Sequence, residues 1–326
     1  MELAIRQGAL ACPRPLRNGD MIGVAAPAGP VDTMPLDRGI LELVRSGFRV
    51  REGAALRHRT GFLAGSDIAR ATDINQMLSD AEIRAIFLAR GGYGCHRLLP
   101  IIDWEVLAAT PKIIMGASDC TALLCGAAAV ARVVTFHGPM VAGALGRGEG
   151  AVAKFLREDG WLLQTRSESR VAEEHPEVFA AANRNRQVIR EGEGEGTLMV
   201  GCLALFAGLV GTPYLPDLRG AVLCVEDVNE QPFRLDRMVQ QLRLAGLLDG
   251  LSGLVVGSLL GCGTPGTRPS ALDVFTENFA TAPYPVVAGF PFGHAFPARC
   301  APFGARVRLT TAPPAVHLLS WPVDAQ

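Results

Sequence analysis

The chain has 326 residues and a formal net charge of -1, with 49% hydrophobic and 19% charged residues. This length and composition allow a large buried core and suggest about two domains. The balanced charge offers no basic surface for nucleic acid. The eight cysteines are scattered and no two form a Cys-x-x-Cys pair, which is typical of proteins in a reducing compartment.

The hydropathy of the sequence does not indicate a targeting segment or a membrane-spanning segment. Residues 1–20 contain three arginines and no sustained apolar run, which argues against a signal peptide. The uncharged stretch 197–216 is interrupted by glycines, and its Thr-Pro ending predicts a buried helix that stops near residue 211. We therefore expect a soluble cytoplasmic protein that binds neither membrane nor nucleic acid.

Short apolar strands alternate with helical patterns through the first half of the chain. Strands are predicted at 21–26, 85–89, 113–115 and 133–136, and helices at 36–46, 67–78 and 122–131. Alternation at this spacing indicates a parallel sheet covered by helices on both faces. We expect an α/β fold of the flavodoxin-like or doubly wound kind.

The pattern decays into charge and glycine after the first half. Residues 166–196 end in a Gly-Glu repeat and are predicted to be a linker. It would join a domain at 1–165 to a smaller α+β domain at 197–326. In the second domain we predict strands at 221–225 and 254–257 and an amphipathic helix at 234–248.

The most informative segment runs from Lys112 to Thr121. It has the pattern of a buried strand, a glycine turn, one serine and a helix, which is typical of a nucleophile elbow at Ser118. The second glycine of the usual elbow is replaced by Cys120. The competing interpretation is that Ser118 is only the N-cap of the helix.

A double-glycine loop, Arg90-Gly91-Gly92-Tyr93-Gly94, follows the strand at 85–89. Its backbone N–H groups could form an oxyanion hole or bind a phosphate, and a plain tight turn explains the glycines equally well. The loop lacks the third glycine and the acidic residue of a dinucleotide-binding fingerprint.

A serine nucleophile needs a base, and the base needs an acid that fixes its tautomer. Ser118, Glu226 and His294 have these side chains, and each follows a predicted strand or apolar run. His137 also follows a strand and rivals His294. Other candidates are Asp119, Asp227 and Glu230 for the acid, and Lys112 and Cys120 in place of the histidine or serine.

Two of these alternatives are unfavourable on geometric grounds. Lys112 is six residues before Ser118 on a strand, so it lies roughly 20 Å away at the wrong end. Cys120 is expected to pack against the sheet. A metal site is not predicted, because no His-Glu-x-x-His motif occurs and the charged run 173–177 is typical of a solvated segment. We expect no cofactor.

Taken together, these blocks resemble the LD-carboxypeptidase family of serine peptidases, which also contains the microcin C self-immunity proteins. The resemblance extends from Gly19 to about Leu309. The matching blocks are 19–27, 62–65, 73–75, 86–94, 111–112, 116–119, 135–140, 211–214, 226–230, 233–234 and 293–294.

The resemblance implies a role for each candidate. Ser118 would be the nucleophile, Glu226 the orienting acid and His294 the base, with backbone N–H groups of Asp119 and Gly92 forming the oxyanion hole. It also implies a flavodoxin-like N-terminal domain, a swivelling β/β/α-like C-terminal domain, a homodimer and a metal-independent serine carboxypeptidase. The substrate would be a murein tetrapeptide, from which C-terminal D-alanine is released during cell-wall recycling.

Three features bear on the substrate. The Gly-Gly-Asn of the family is replaced here by Val200-Gly201-Cys202, and the loop 295–300 is unusually apolar, while Pro302-Phe303-Gly304 keeps the family's closing turn. The self-immunity relatives cleave peptidyl-nucleotide antibiotics and tend to carry an aromatic-rich segment before the C-terminal domain. Here that segment has only Phe179, with Trp161 ahead of it, which favours the murein substrate. A non-enzymatic muropeptide-binding protein is the third hypothesis.

Overall fold

A computed structural model of the protein describes residues 9–158, 160–163, 167, 175–179, 186–294 and 299–324. The chain divides into two units. The first comprises Met1–Ser169, Gly211–Pro216 and Pro322–Gln326, and the second comprises Arg170–Val210 and Asp217–Trp321. The predicted domains 1–165 and 197–326 stay a prediction.

The first unit alternates strands and helices, and it contains the predicted elements together with an edge strand and two helices that were not predicted. Its elements are β1 (Met21–Ala25), α1 (Thr33–Arg45), β2 (Arg49–Glu52), α2 (Asp67–Ser79), β3 (Ile83–Leu88), α3 (Trp104–Ala109), β4 (Ile113–Gly116), α4 (Thr121–Gly126), β5 (Thr135–His137) and α5 (Ala151–Glu158). A π-helical turn continues α4 over Ala127–Ala131.

The strands of the first unit form a parallel sheet in the order β5-β4-β3-β1-β2. Strands β1 and β4 are buried along their whole length, since helices cover the apolar side chains of a parallel sheet on both faces. The order reverses at β1, so the loops after β1, β3 and β4 meet at the carboxyl edge, where open α/β sheets hold their sites. The predicted α/β class is confirmed.

The second unit consists of helices and strands, and seven of its described strands form a mixed sheet. Its elements are β6 (Gln187–Arg190), β7 (Glu193–Cys202), α6 (Leu203–Gly208), β8 (Ala221–Val228), α7 (Pro232–Leu244), β9 (Gly253–Leu260), α8 (Ala271–Phe279), β10 (Val286–Ala288), β11 (Ala301–Phe303), β12 (Arg306–Thr311) and β13 (Pro314–Leu318). Among the described residues, the sheet has the order β13-β12-β7-β8-β9-β10-β6. Its centre, β7 to β10, is parallel, and antiparallel strands flank it.

The predicted linker is wrong over residues 187–196, which form β6 and the start of β7. The glycines that suggested flexibility instead allow close backbone packing. A Cβ on Gly194 would collide with the carbonyl oxygen of Ser252, and one on Gly196 with that of Gly220. Most of the remaining predicted linker, and positions 295–298 of the apolar loop, lie outside the described residues.

Two further boundaries differ from the sequence analysis. The helix predicted at 197–216 is the short α6, because β7 continues to Cys202. The strand predicted at 221–225 extends to Val228, so Glu226 lies within β8 rather than after it. Its neighbour in the register is Cys202 on β7. The buried acid is thus held by strand pairing.

Candidate active site

Ser118 lies in a strained turn between β4 and α4. Ala117 continues the extended backbone, whereas Ser118 has a φ of 60°, the left-handed region that is unfavourable for residues other than glycine. A helix N-cap has extended backbone angles, and the extended residue that precedes this turn is Ala117. The N-cap interpretation of Ser118 is therefore wrong, and the geometry is that of a nucleophile elbow with a partly exposed serine.

The double-glycine loop comes into contact with this elbow. A Cβ added to Gly91 would lie 2.7 Å from Ser118 Cβ, 2.9 Å from its Oγ and 3.3 Å from the Asp119 nitrogen. Gly92 has a φ of 119° and approaches the backbone of Gly29. The loop thus needs glycine for a close approach to the serine, which favours the functional interpretation over a plain turn. The oxyanion hole of Asp119 and Gly92 stays a prediction.

Asp119 joins the elbow to the same loop. Its buried carboxylate accepts a hydrogen bond of 2.8 Å from the backbone N–H of Cys95, just after the double glycine. Cys120, next in the chain, is fully buried, with its Sγ 3.7 Å from the carbonyl oxygen of Arg90. Asp119 therefore positions the loop, and Cys120 packs inside the unit, as predicted.

Glu226 and His294 form a hydrogen-bonded pair in the second unit. His294 Nδ1 lies 2.7 Å from Glu226 Oε2, and the Glu226 side chain is completely buried whereas 23% of the His294 side chain is exposed. Burial lowers the pKa of His294, but the hydrogen bond and charge of Glu226, with the charge of Asp227, outweigh it and raise the pKa above 6.5. This is the orientation that a general base requires.

The residue before His294, Gly293, must be a glycine, for two reasons. Its φ is 97°, and a Cβ at this position would lie 2.6 Å from Glu226 Cγ and Oε2. Only glycine combines this backbone angle with such a close approach to the carboxylate. The Gly-His pair is recognisable in the sequence through its family resemblance, whereas the role of this glycine is not, because it depends on a residue 67 positions away.

The rival acids have other partners. Asp227 Oδ2 accepts a hydrogen bond of 3.0 Å from Ala204 N–H at the start of α6, and Oδ1 accepts one from Val228 N–H at 2.9 Å. Burial raises the pKa of Asp227, although these two hydrogen bonds lower it. Glu230 lies 3.7 Å from Arg234. Glu226 is thus the acid that the structure pairs with a histidine.

The rival bases differ in surroundings. His137 is a buried residue of β5, 1% exposed. Lys112 donates hydrogen bonds to the carbonyl oxygens of Met77, at 2.8 Å, and Asp80, at 2.5 Å. Burial lowers the pKa of Lys112 to about 8, partly offset by the charge of Asp80. Lys112 therefore stabilises the end of α2, at the amino end of β4.

The described residues also bear on metal binding, membrane insertion and the state of the cysteines. Within the described ranges, no group of three or more His, Cys, Asp or Glu side chains is arranged to hold a metal ion. In that same part of the chain, no helix has both the length and the apolar character needed to cross a membrane. All eight cysteines are thiols, and six of them are buried.

Comparisons with known proteins agree with these features. The family profile of the LD-carboxypeptidase N-terminal domain matches residues 22–138, and that of the C-terminal domain matches residues 195–309. A probable murein peptide carboxypeptidase of Bacillus subtilis is 34% identical over 92% of this chain and 92% of its own.

Two solved structures are similar over most of their length. The muramoyltetrapeptide carboxypeptidase of Oxalobacter formigenes has a TM-score of 0.75 and 28% identity, covering 91% of this chain and 97% of its own. The structure of MccF in complex with glutamyl sulfamoyl guanosine has a TM-score of 0.85, covering 96% and 99%; at 24% identity it supports the fold alone. With both family domains matched in order, the chain belongs to the LD-carboxypeptidase family.

Proposed function

We propose that the protein is a serine LD-carboxypeptidase that releases the C-terminal D-alanine of murein tetrapeptides. The observation that carries this proposal is the 2.7 Å contact between His294 Nδ1 and Glu226 Oε2, in a chain of this family. A buried carboxylate bound to one imidazole nitrogen leaves the other nitrogen to accept a proton. The nucleophile that this base would activate is the hydroxyl of Ser118, which lies in the strained turn.

The proposed reaction has two halves. His294 Nε2 takes the hydroxyl proton of Ser118 as Oγ attacks the amide carbonyl, while Nδ1–H donates to Glu226. Backbone N–H groups of Asp119 and Gly92 stabilise the oxyanion. His294 then gives its proton to the departing amine of D-alanine. Water, activated by the same imidazole, hydrolyses the acyl-enzyme, and no step requires a metal ion.

The alternative is a self-immunity amidase that acts on peptidyl-nucleotide antibiotics. Such enzymes tend to stack the base on aromatic rings in the segment before the C-terminal domain. Phe179 is completely buried and stacks on Phe292 with ring centroids 4.9 Å apart, and Trp161 is only 6% exposed. Neither ring offers a face to a ligand, which favours the murein peptide over the nucleotide conjugate.

We further propose a cytoplasmic homodimer that acts in peptidoglycan recycling. The reduced cysteines support a reducing compartment. The dimer and the recycling role rest on the family resemblance. Light scattering of the purified protein tests the dimer directly, since a single-chain mass in solution contradicts it.

The deciding experiment measures free D-alanine after incubation of the protein with murein tetrapeptide and EDTA. We expect release that EDTA does not reduce. If no D-alanine appears, the carboxypeptidase proposal is wrong, and faster hydrolysis of an aminoacyl sulfamoyl adenylate would favour the amidase. Equal tetrapeptide affinity in wild type and Ser118→Ala, with turnover in neither, would identify a non-enzymatic binding protein.

A further inference from the structure

A carboxypeptidase must distinguish a free terminal carboxylate from a peptide bond, so its site needs a cation or donor for that group. Recognition of the terminal carboxylate presupposes the proposed function. The loops that follow β1, β3 and β4 converge on Ser118 and comprise residues 26–32, 89–98 and 117–120. Their basic side chains are Arg90, His96 and Arg97.

Two of these three side chains are unsuited to the task. The Nε and Nη2 donors of Arg97 are already engaged, because they bond both carboxylate oxygens of Asp67 at 2.7 to 2.9 Å. Burial lowers the pKa of His96 below its ordinary value of 6.5, although the charge of Asp119 opposes the shift. His96 is therefore neutral at neutral pH and offers no positive charge.

Arg90 differs from both, because it carries a positive charge and keeps free hydrogen-bond donors. Its side chain is exposed, and its Nη1 donates a 2.9 Å hydrogen bond to the carbonyl oxygen of Pro30, in the loop after β1. In the described part of the chain no carboxylate lies within ion-pair distance of this guanidinium. The Pro30 contact fixes one end of the guanidinium while the Nε–Nη2 edge keeps two parallel donors, the geometry that matches a carboxylate.

Arg90 is also within reach of the reacting serine. It directly precedes Gly91, the residue whose Cα faces the Ser118 side chain. The loop after β1, which anchors the guanidinium, is also hydrogen-bonded to Gly91, since Gly29 N–H donates to the Gly91 carbonyl oxygen at 3.1 Å. In the substrate, three bonds separate the scissile carbonyl carbon from the carboxylate carbon of the leaving residue, a span of about 4 Å. A side chain from an adjacent loop covers this distance.

We propose that Arg90 binds the terminal carboxylate of the departing amino acid and so determines carboxypeptidase specificity. One carboxylate forms two parallel hydrogen bonds with the Nε–Nη2 edge, while Pro30 holds the guanidinium in place. The enzyme would then discriminate against substrates whose C-terminus is amidated or extended, because a neutral amide then occupies the position of the carboxylate and leaves the guanidinium unpaired.

The test compares tetrapeptide with its C-terminal carboxamide as substrates for three proteins. Wild type should prefer the free acid, measured as kcat/KM, by about 10- to 100-fold, the range for a charge-assisted pair. Arg90→Gln should lower kcat/KM for the acid by that factor, mainly through KM, and leave the amide unchanged, so the preference disappears. Arg97→Gln is the matched control, since it removes a guanidinium of the same loop and should keep the preference.

The outcomes separate this inference from the proposed function. If wild type cleaves the acid and Arg90→Gln keeps the full preference, Arg90 does not bind the carboxylate and the carboxypeptidase assignment stands. If wild type cleaves neither substrate, the proposed function itself fails. Arg90→Lys keeps the charge without the planar fork and should recover part of the preference. Equal losses on acid and amide in Arg90→Gln would indicate a structural role and overturn the inference.

Discussion

Replacement of Gly293 by alanine should separate the Glu226–His294 pair. The new Cβ would lie 2.6 Å from Glu226 Cγ and Oε2, whereas ordinary van der Waals contact begins near 3.4 Å. Glu226 is completely buried in β8, so it cannot swing into solvent. The carboxylate or the His294 loop must therefore move by nearly 1 Å.

The size of the effect follows from two contributions. Alanine at a φ of 97° costs about 1–2 kcal/mol, because L-residues are strained in the left-handed region. Loss of the charge-assisted hydrogen bond between Glu226 and His294 adds about 1.5–3 kcal/mol. Misplacement of the base by about 1 Å should lower kcat about 100-fold.

Gly266→Ala is the matched control. Gly266 has a φ of 81° and nothing within 4 Å of an added Cβ, so it carries the strain without the collision. Thermal unfolding and D-alanine release are measured for both variants. We expect both to lose stability, with Gly293→Ala less stable than Gly266→Ala, and only Gly293→Ala to lose activity. Wild-type kcat in Gly293→Ala would show that close packing of Gly293 does not hold the pair together.

Three further variants test other parts of the site. Gly91→Ala places a Cβ 2.7 Å from Ser118 Cβ, a collision that must shift the serine although the backbone has no positive φ. Activity should fall at least 100-fold and stability by about 1–3 kcal/mol, and full activity would contradict the close approach. In Glu226→Gln the charge that raises the pKa of His294 is lost; because the base must be neutral, the acid limb of the kcat/KM profile should move to lower pH, and an unmoved limb would contradict the pairing. His137→Ala should lose about 2 kcal/mol of stability from a buried position yet retain turnover. An inactive, folded His137→Ala together with an active His294→Ala would mean that the base is misassigned.

Most of the first unit could be predicted from local patterns because its central strands and their helices alternate regularly and are apolar on their packed faces. The edge strand β2 was missed because its sequence, Arg-Val-Arg-Glu, has a single apolar residue and no buried position. The glycine turn before Ser118 likewise lies within one short segment. What the pattern could not distinguish was a capping serine from a strained one, since both precede a helix. That difference is the φ of 60° at Ser118, which only the three-dimensional structure reveals.

The second unit was harder to predict because its features depend on distant contacts. Gly194 and Gly196 have the composition of a linker, and only their contacts with Ser252 and Gly220 explain them as tightly packed strand residues. The Glu226–His294 pair likewise joins residues 68 positions apart, so residue types alone left His137 open. It was the family resemblance that selected His294 at the sequence level.

The role of Ser118 as nucleophile can be tested by measuring the mass of the protein quenched during turnover. We expect an adduct of one tripeptide acyl group, located on the peptide that carries Ser118, in the wild type but not in Ser118→Ala. Ser118→Ala should also release no D-alanine while it still binds tetrapeptide. Undiminished release by Ser118→Ala, or an adduct on Cys120, would show that Ser118 is not the nucleophile.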